Sequence, residues 1–99
     1  MNKLTTVYAD KASIVINGIC FSLGGSDGVY DVIFTEERPN GVQEQAWIDL
    51  RDCPLIAIWE NDCNPESGRM FSAADFGNSQ AISFGFDKNN GHFCFWKLF

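Results

Sequence analysis

Residues 80–99 read as a β-hairpin too apolar to be solvated on both sides, and no other segment constrains the fold as strongly. Gln80 to Asp87 runs into Lys88-Asn89-Asn90-Gly91, and the chain returns from His92 to Phe99. Asn and Gly tolerate the left-handed backbone positions that tight turns require. A two-residue and a four-residue loop sort the side chains alike. Ile82, Phe84, Phe86, Phe93, Phe95 and Phe99 fall on one face; Ser83, Gly85, Asp87, Cys94, Trp96 and Leu98 fall on the other. The first face must be core. Apart from Lys97 the returning strand is apolar on both faces, which predicts a central strand or one lying under a second layer. With the two-residue loop, Trp96 lies across from Gly85 and covers its bare backbone.

A second hairpin is written into Ser13-Ile14-Val15-Ile16-Asn17-Gly18-Ile19-Cys20-Phe21. Asn-Gly between alternating apolar residues marks a type I′ turn, because both central positions need positive φ. The pairing Ile16 with Ile19, Val15 with Cys20 and Ile14 with Phe21 puts Ile14, Ile16, Ile19, Phe21 and Leu23 on a core face. After a glycine-rich turn at 24–28, Val29 to Thr35 predicts a strand with Tyr30, Val32 and Phe34 on one side. Pro39-Asn40-Gly41 turns the chain again.

Val42 to Leu50 fits either a strand, with Ala46, Ile48 and Leu50 on one face, or a helix; its place after a hairpin-type turn favours the strand. Leu55 to Glu60 is a nearly continuous apolar run that suits a buried strand. Asn64-Pro65-Glu66 offers a helix start and Gly77 a stop, but Gly68 and several poor helix formers lie between.

The fold expectation is therefore mostly β, with α+β as the variant. It is a single domain over residues 1–99: a small antiparallel sheet, sandwich or half-barrel of six to seven strands from consecutive hairpins, with at most one short helix near residues 65–76. Nine Phe, three Trp and two Tyr support strands over helices.

Charge narrows the choice of partner. Residues 27–66 carry ten carboxylates against Arg38 and Arg51, a balance of −8 within a chain of formal charge −6. Nucleic acid and anionic membrane surfaces repel such a chain, whereas a basic protein is attracted. The plainer reading of the same residues is solubility. Met1 to Lys11 lacks the apolar centre of a signal peptide and no stretch has the length of a membrane span, so a cytoplasmic protein with reduced thiols is expected.

No motif fixes a reaction. Cys20, Cys53, Cys63 and Cys94 contain no C-x-x-C pair and there is one histidine, so no metal or cofactor is expected and the cysteines read as small apolar residues. Asp62, Asn64 and Glu66 alternate as in a calcium loop, but Ser67 and Ala73 stand where that loop needs Gly and Glu. Cys94, His92 and Asp87 contain the parts of a nucleophile site, with the two-residue hairpin loop placing Asp87 opposite Cys94. Phe93 and Phe95 beside Cys94 argue against a reactive thiolate.

Two functional expectations follow, with an enzyme a distant third. The first is a small acidic interaction module, of inhibitor or immunity type, that covers a basic site on a partner through Glu36, Glu37, Glu44 and Asp49. The alternative is a small-molecule binder with a pocket lined by Trp47, Trp59 and Trp96. Trp96 with Leu98 could instead form a patch for self-association as a homodimer.

Overall fold

The computed structural model describes residues 2–9, 13–22, 28–59 and 68–98. These form nine strands: β1 (Asn2–Ala9), β2 (Ser13–Ile16), β3 (Ile19–Ser22), β4 (Gly28–Thr35), β5 (Glu44–Asp49), β6 (Leu55–Trp59), β7 (Arg69–Ser72), β8 (Ala81–Asp87) and β9 (His92–Lys97). One sheet has the order β1-β4-β9-β8-β5 and the other β3-β2-β6-β7. Their facing sides share one core, to which Val7, Val32, Phe34, Ile82, Phe84, Phe93 and Phe95 come from the first sheet. Ile16, Ile56, Ile58 and Phe71 come from the second. The architecture is a small mixed sandwich, and β1 and β7 are strands beyond the seven legible in the sequence.

The apolar returning strand is central, as its composition demands. β9 lies between β8, which it pairs antiparallel, and β4, which it pairs in parallel. The hairpin register is Asp87 with His92, hence the four-residue loop. Asp87 holds that loop together: its carboxylate accepts from the backbone N–H groups of Asn89 and Asn90 at 3.0 and 3.2 Å and from Asn90 Nδ2 at 2.8 Å. Gly91 takes the left-handed position at φ 68°. Trp96 consequently faces Ser83, not Gly85, and Cys94 faces Gly85. The indole still reaches Gly85 diagonally, coming within 3.1 Å of where a Cβ would stand.

The β2–β3 hairpin has the turn and register expected, with Asn17 at φ 51° and Gly18 at φ 80°. One of its core assignments fails: Ile19 is 62% exposed. It lies on the inward face, but β3 is the sheet's edge and none of the described residues opposite encloses it. Ile14 and Leu23 lie outside the residues whose side chains are described. Asn17 also docks the turn onto β6. It donates its N–H to Ala57 O (2.9 Å), accepts the Ala57 N–H on Oδ1 (2.8 Å), and donates Nδ2–H to Cys53 Sγ (2.9 Å). The asparagine thus extends a ladder in which, among the described residues, only Val15 with Trp59 and Ile16 with Ile58 pair directly.

β6 is buried on one face only. Ile56 and Ile58 are fully enclosed, while Leu55 is exposed and Ala57 and Trp59 are half-buried on the outer face. The short helix near 65–76 is a 3-10 turn over Ala73–Phe76. Arg69 to Ser72 pair with β6 instead of coiling, and the backbone N–H of Ser72 donates to Asp75 Oδ2 at 2.8 Å to start the turn. Gly77 ends it at φ 67°, the role its position suggested. Asn64-Pro65-Glu66, Cys63 and the alternating acids beside them lie outside the described residues.

β4 and β5 are parallel but not adjacent, so residues 36–43 must cross β9 and β8 on the outer face of the first sheet. They lie close upon it: a Cβ on Gly85 would stand 2.5 Å from Gln43 O and 2.6 Å from Val42 Cγ1. Val42 joins Ile33, Cys94 and Trp96 in a second, smaller apolar cluster under this crossover.

Candidate interaction surface

β5 is an edge strand, and the direction of its hydrogen bonds decides what it offers. The Leu50 N–H donates to Gln80 O at 2.8 Å, and the register places Ile48 opposite Ile82 and Ala46 opposite Phe84. Antiparallel pairing alternates, so Ala46, Ile48 and Leu50 turn their backbone groups toward β8, whereas Trp47 and Asp49 turn theirs away. The Asp49 carbonyl is used locally, accepting from the N–H groups of Asp52 and Cys53 at 3.2 and 2.9 Å. Among the described residues this leaves the Trp47 N–H and C=O and the Asp49 N–H without a backbone partner.

Beside this edge the sandwich is open. Ile16, Ile19 and Phe21 of the second sheet face Ala46, Ile48 and Phe84 of the first across an apolar cleft of about 70 Å³, with Trp47 also on its lining. Phe21 closes the bottom against Phe84, ring centroids 5.1 Å apart. Trp47 itself is 60% exposed. Tyr8 on the opposite edge strand β1 is equally open at 64%, so what sets Trp47 apart is the apolar cleft beside it.

The candidate carboxylates divide into two pairs. Glu44 faces Gly85 and Asp49 faces Ala81, which places both with Trp47 on the outer face of β5. Glu44 accepts a hydrogen bond from Ser83 Oγ at 2.7 Å. Asp49 is already engaged: Arg51 donates to it through Nε at 3.1 Å and Nη2 at 2.8 Å. That side chain, with the Arg51 backbone N–H, holds the Asp49 carboxyl down at about 2. An exposed pair whose acid is depressed in the folded state stabilises above the ordinary carboxylate range and loses its effect as pH falls through the folded value. The Asp49 carboxyl carbon is therefore expected to hold its ionised chemical shift through pH 3.8 and to move only near pH 2. Glu36 and Glu37 are exposed where β4 ends, at the same end of the sheet as Asp49. Three strand spacings, roughly 14 Å, separate them from β5.

The tryptophans do not gather. Trp96 is 3% exposed and covered by the chain's own crossover, so it neither lines an open pocket nor offers a dimer patch. Trp59 belongs to the other sheet, opposite Val15. Leu98 is exposed and follows β9, its N–H donating to Ala81 O at 3.0 Å. Trp47 alone reaches the cleft, whose volume falls well below the ~300 Å³ at which small-molecule pockets begin.

The nucleophile arrangement is overturned by the register. Asp87 faces His92 and is occupied with its loop, while Cys94 faces Gly85 and is fully buried. Burial pushes the Cys94 thiol up to about 11, the reverse of what a nucleophile needs. In the folded protein at pH 8, iodoacetamide is expected to modify exposed Cys20 and half-buried Cys53 well before Cys94; mass spectrometry of quenched samples reads the order. His92 instead joins a polar row on the outer face. Asp31 accepts from Thr6 Oγ at 2.8 Å, pairs with Lys3 at 3.1 Å, and stands 4.0 Å from His92 Nε2. The Thr6 and Lys3 contacts hold its carboxyl below the usual range. No group of three or more His, Cys, Asp or Glu suited to a metal ion occurs among the described residues.

Comparison with protein-family models, curated proteins and solved structures finds no match. What the surface could do therefore rests on its own chemistry: open backbone donors and an acceptor, an exposed indole, an apolar cleft and one carboxylate not committed to a cation. The sequence pointed to Glu44, Trp47 and Asp49, but not to Ile19, Ala46 and Ile48 as cleft residues. Ala46 and Ile48 carry an ordinary core pattern, and only the position of β5 at an edge leaves them beside an opening.

Proposed function

We propose that this protein is an interaction module that docks a partner protein on the β5 margin of its first sheet. The observation that carries the reading is Trp47: an indole 60% exposed, on an edge strand, beside an apolar cleft. Aromatic residues of this kind are enriched where interfaces draw most of their energy. The acidic balance of residues 27–66 gives the surface a preference for a basic partner and would speed encounter with it. Glu44 acts directly beside the indole; Glu36 and Glu37 act at longer range.

The test compares tagged native chain with Trp47→Ser and with Glu36→Lys/Glu37→Lys, each recovered from the source cell and washed at 0.15 M salt. A discrete basic protein held by the native chain, lost with Trp47→Ser and weakened by the double reversal, supports the proposal. Equal retention by all three chains ends it.

A further inference from the structure

Resting on that docking surface, the geometry points to a defined mode of recognition: β5 takes up, along its open edge, an extended segment of the partner that alternates small aliphatic and basic residues. Three independent features of the same strand select such an occupant.

The first is the backbone. The Trp47 N–H and C=O and the Asp49 N–H face outward from an otherwise completed ladder, the pattern that a further strand satisfies. The second is side-chain alternation. Residues of an added strand point in turn to the two faces of the sheet. On the inner face they meet Ile19, Ala46 and Ile48 at a small apolar cleft of about 70 Å³, which suits a small aliphatic side chain better than an aromatic ring. On the outer face they meet Glu44 and Trp47. A lysine or arginine there lies beside a carboxylate and an indole face, both of which attract it.

The third feature is charge, which separates β5 from the other edges and from self-pairing. β1, at the far edge of the same sheet, carries Lys3 where β5 carries carboxylates, and β3 and β7 span four residues each. Two β5 edges paired with each other would bring Glu44 and Asp49 of both copies together, which like-charge repulsion disfavours. A basic segment has the opposite tendency.

The probe is a synthetic eight-residue peptide of alternating valine and lysine, titrated into the ¹⁵N-labelled protein at 0.15 M salt. The Trp47 and Asp49 amide signals are expected to move most. Backbone N-methylation of one alternate set of peptide residues should weaken binding at least tenfold, and methylation of the other set should not. A valine–glutamate peptide should not bind, and Glu44→Lys should weaken the lysine peptide several-fold. If both methylated peptides bind like the parent, or the Trp47 and Asp49 amides stay still, strand addition is wrong. The docking surface would nonetheless stand if Trp47→Ser still loses the cellular partner. Retention of that partner by Trp47→Ser overturns the surface itself. Concentration-dependent movement of the same amides without peptide, with a dimer mass by light scattering, would assign the edge to a second copy and overturn the inference.

Discussion

Replacing Phe76 with alanine is expected to remove about 3–5 kcal/mol of stability, a large part of what a domain of this size possesses. Phe76 is fully buried although it sits on a single 3-10 turn between β7 and β8. Its ring meets Phe95 at 5.2 Å, Phe34 at 5.9 Å and Phe71 at 6.0 Å, so it joins both sheets at one end of the sandwich. Deleting it removes the transfer energy of a large aromatic and leaves a cavity walled by three other rings, which pleated strands cannot easily close. At about 4–8 °C per kcal/mol, the melting temperature should fall by more than ~12 °C. Phe76→Leu, which refills most of the volume, should recover much of the loss. Thermal unfolding of the two variants side by side measures this, and a loss under ~1 kcal/mol for alanine would show that the ring is not a keystone.

Gly85→Ala is expected to be the other costly change, for the opposite reason. The added methyl would stand 2.5 Å from Gln43 O and 2.6 Å from Val42 Cγ1, with Trp96 at 3.1 Å. A backbone oxygen cannot rotate away as a long side chain can, so the crossover must lift from the sheet. Overpacking of this kind costs about 1–3 kcal/mol, occasionally more. It also has a chemical signature, because the crossover seals Cys94. Iodoacetamide should reach Cys94 much faster in Gly85→Ala than in the native chain under native conditions, with Trp96 fluorescence shifting to longer wavelength. Unchanged labelling would mean that the cover over Cys94 does not depend on the bare glycine.

Much of this fold was legible because the deciding signals are local. Asn17-Gly18 dictates a turn through its φ angles, and the two-faced apolarity of residues 92–96 dictates a central strand. Strand pairing between distant segments leaves no comparable mark. That β4 would pair with β9 in parallel depends on what else competes for those edges, so β4 looked like one arm of a consecutive hairpin. β7 was hidden because Arg69 to Ser72 pattern poorly alone and become a strand by hydrogen bonding to Leu55–Ile58.

The candidate site was legible in part for the same reason. Trp47 and Glu44 stood out by residue type, but whether an indole is core or exposed depends on whether its strand lies at an edge, which is set by β8 and β9. Trp96 shows the converse. Like Trp47 it stands on a strand expected from the sequence, yet a crossover dictated by nonlocal topology encloses it.

The central place of β9 imposes an order of events. The first sheet consists of two halves, β1–β4 and β8–β5, and β9 is the sole strand that touches both. It is also the last of these strands in chain order. A nascent polypeptide that has emerged only through β8 can pair each half but cannot join the two, and the unfilled edges of β4 and β8 are those most prone to pair with other chains. With so many contacts between sequence-distant residues, the search is slow compared with helical domains of equal length. Cellular yield should accordingly depend on how well the chain is shielded before residues 92–97 arrive.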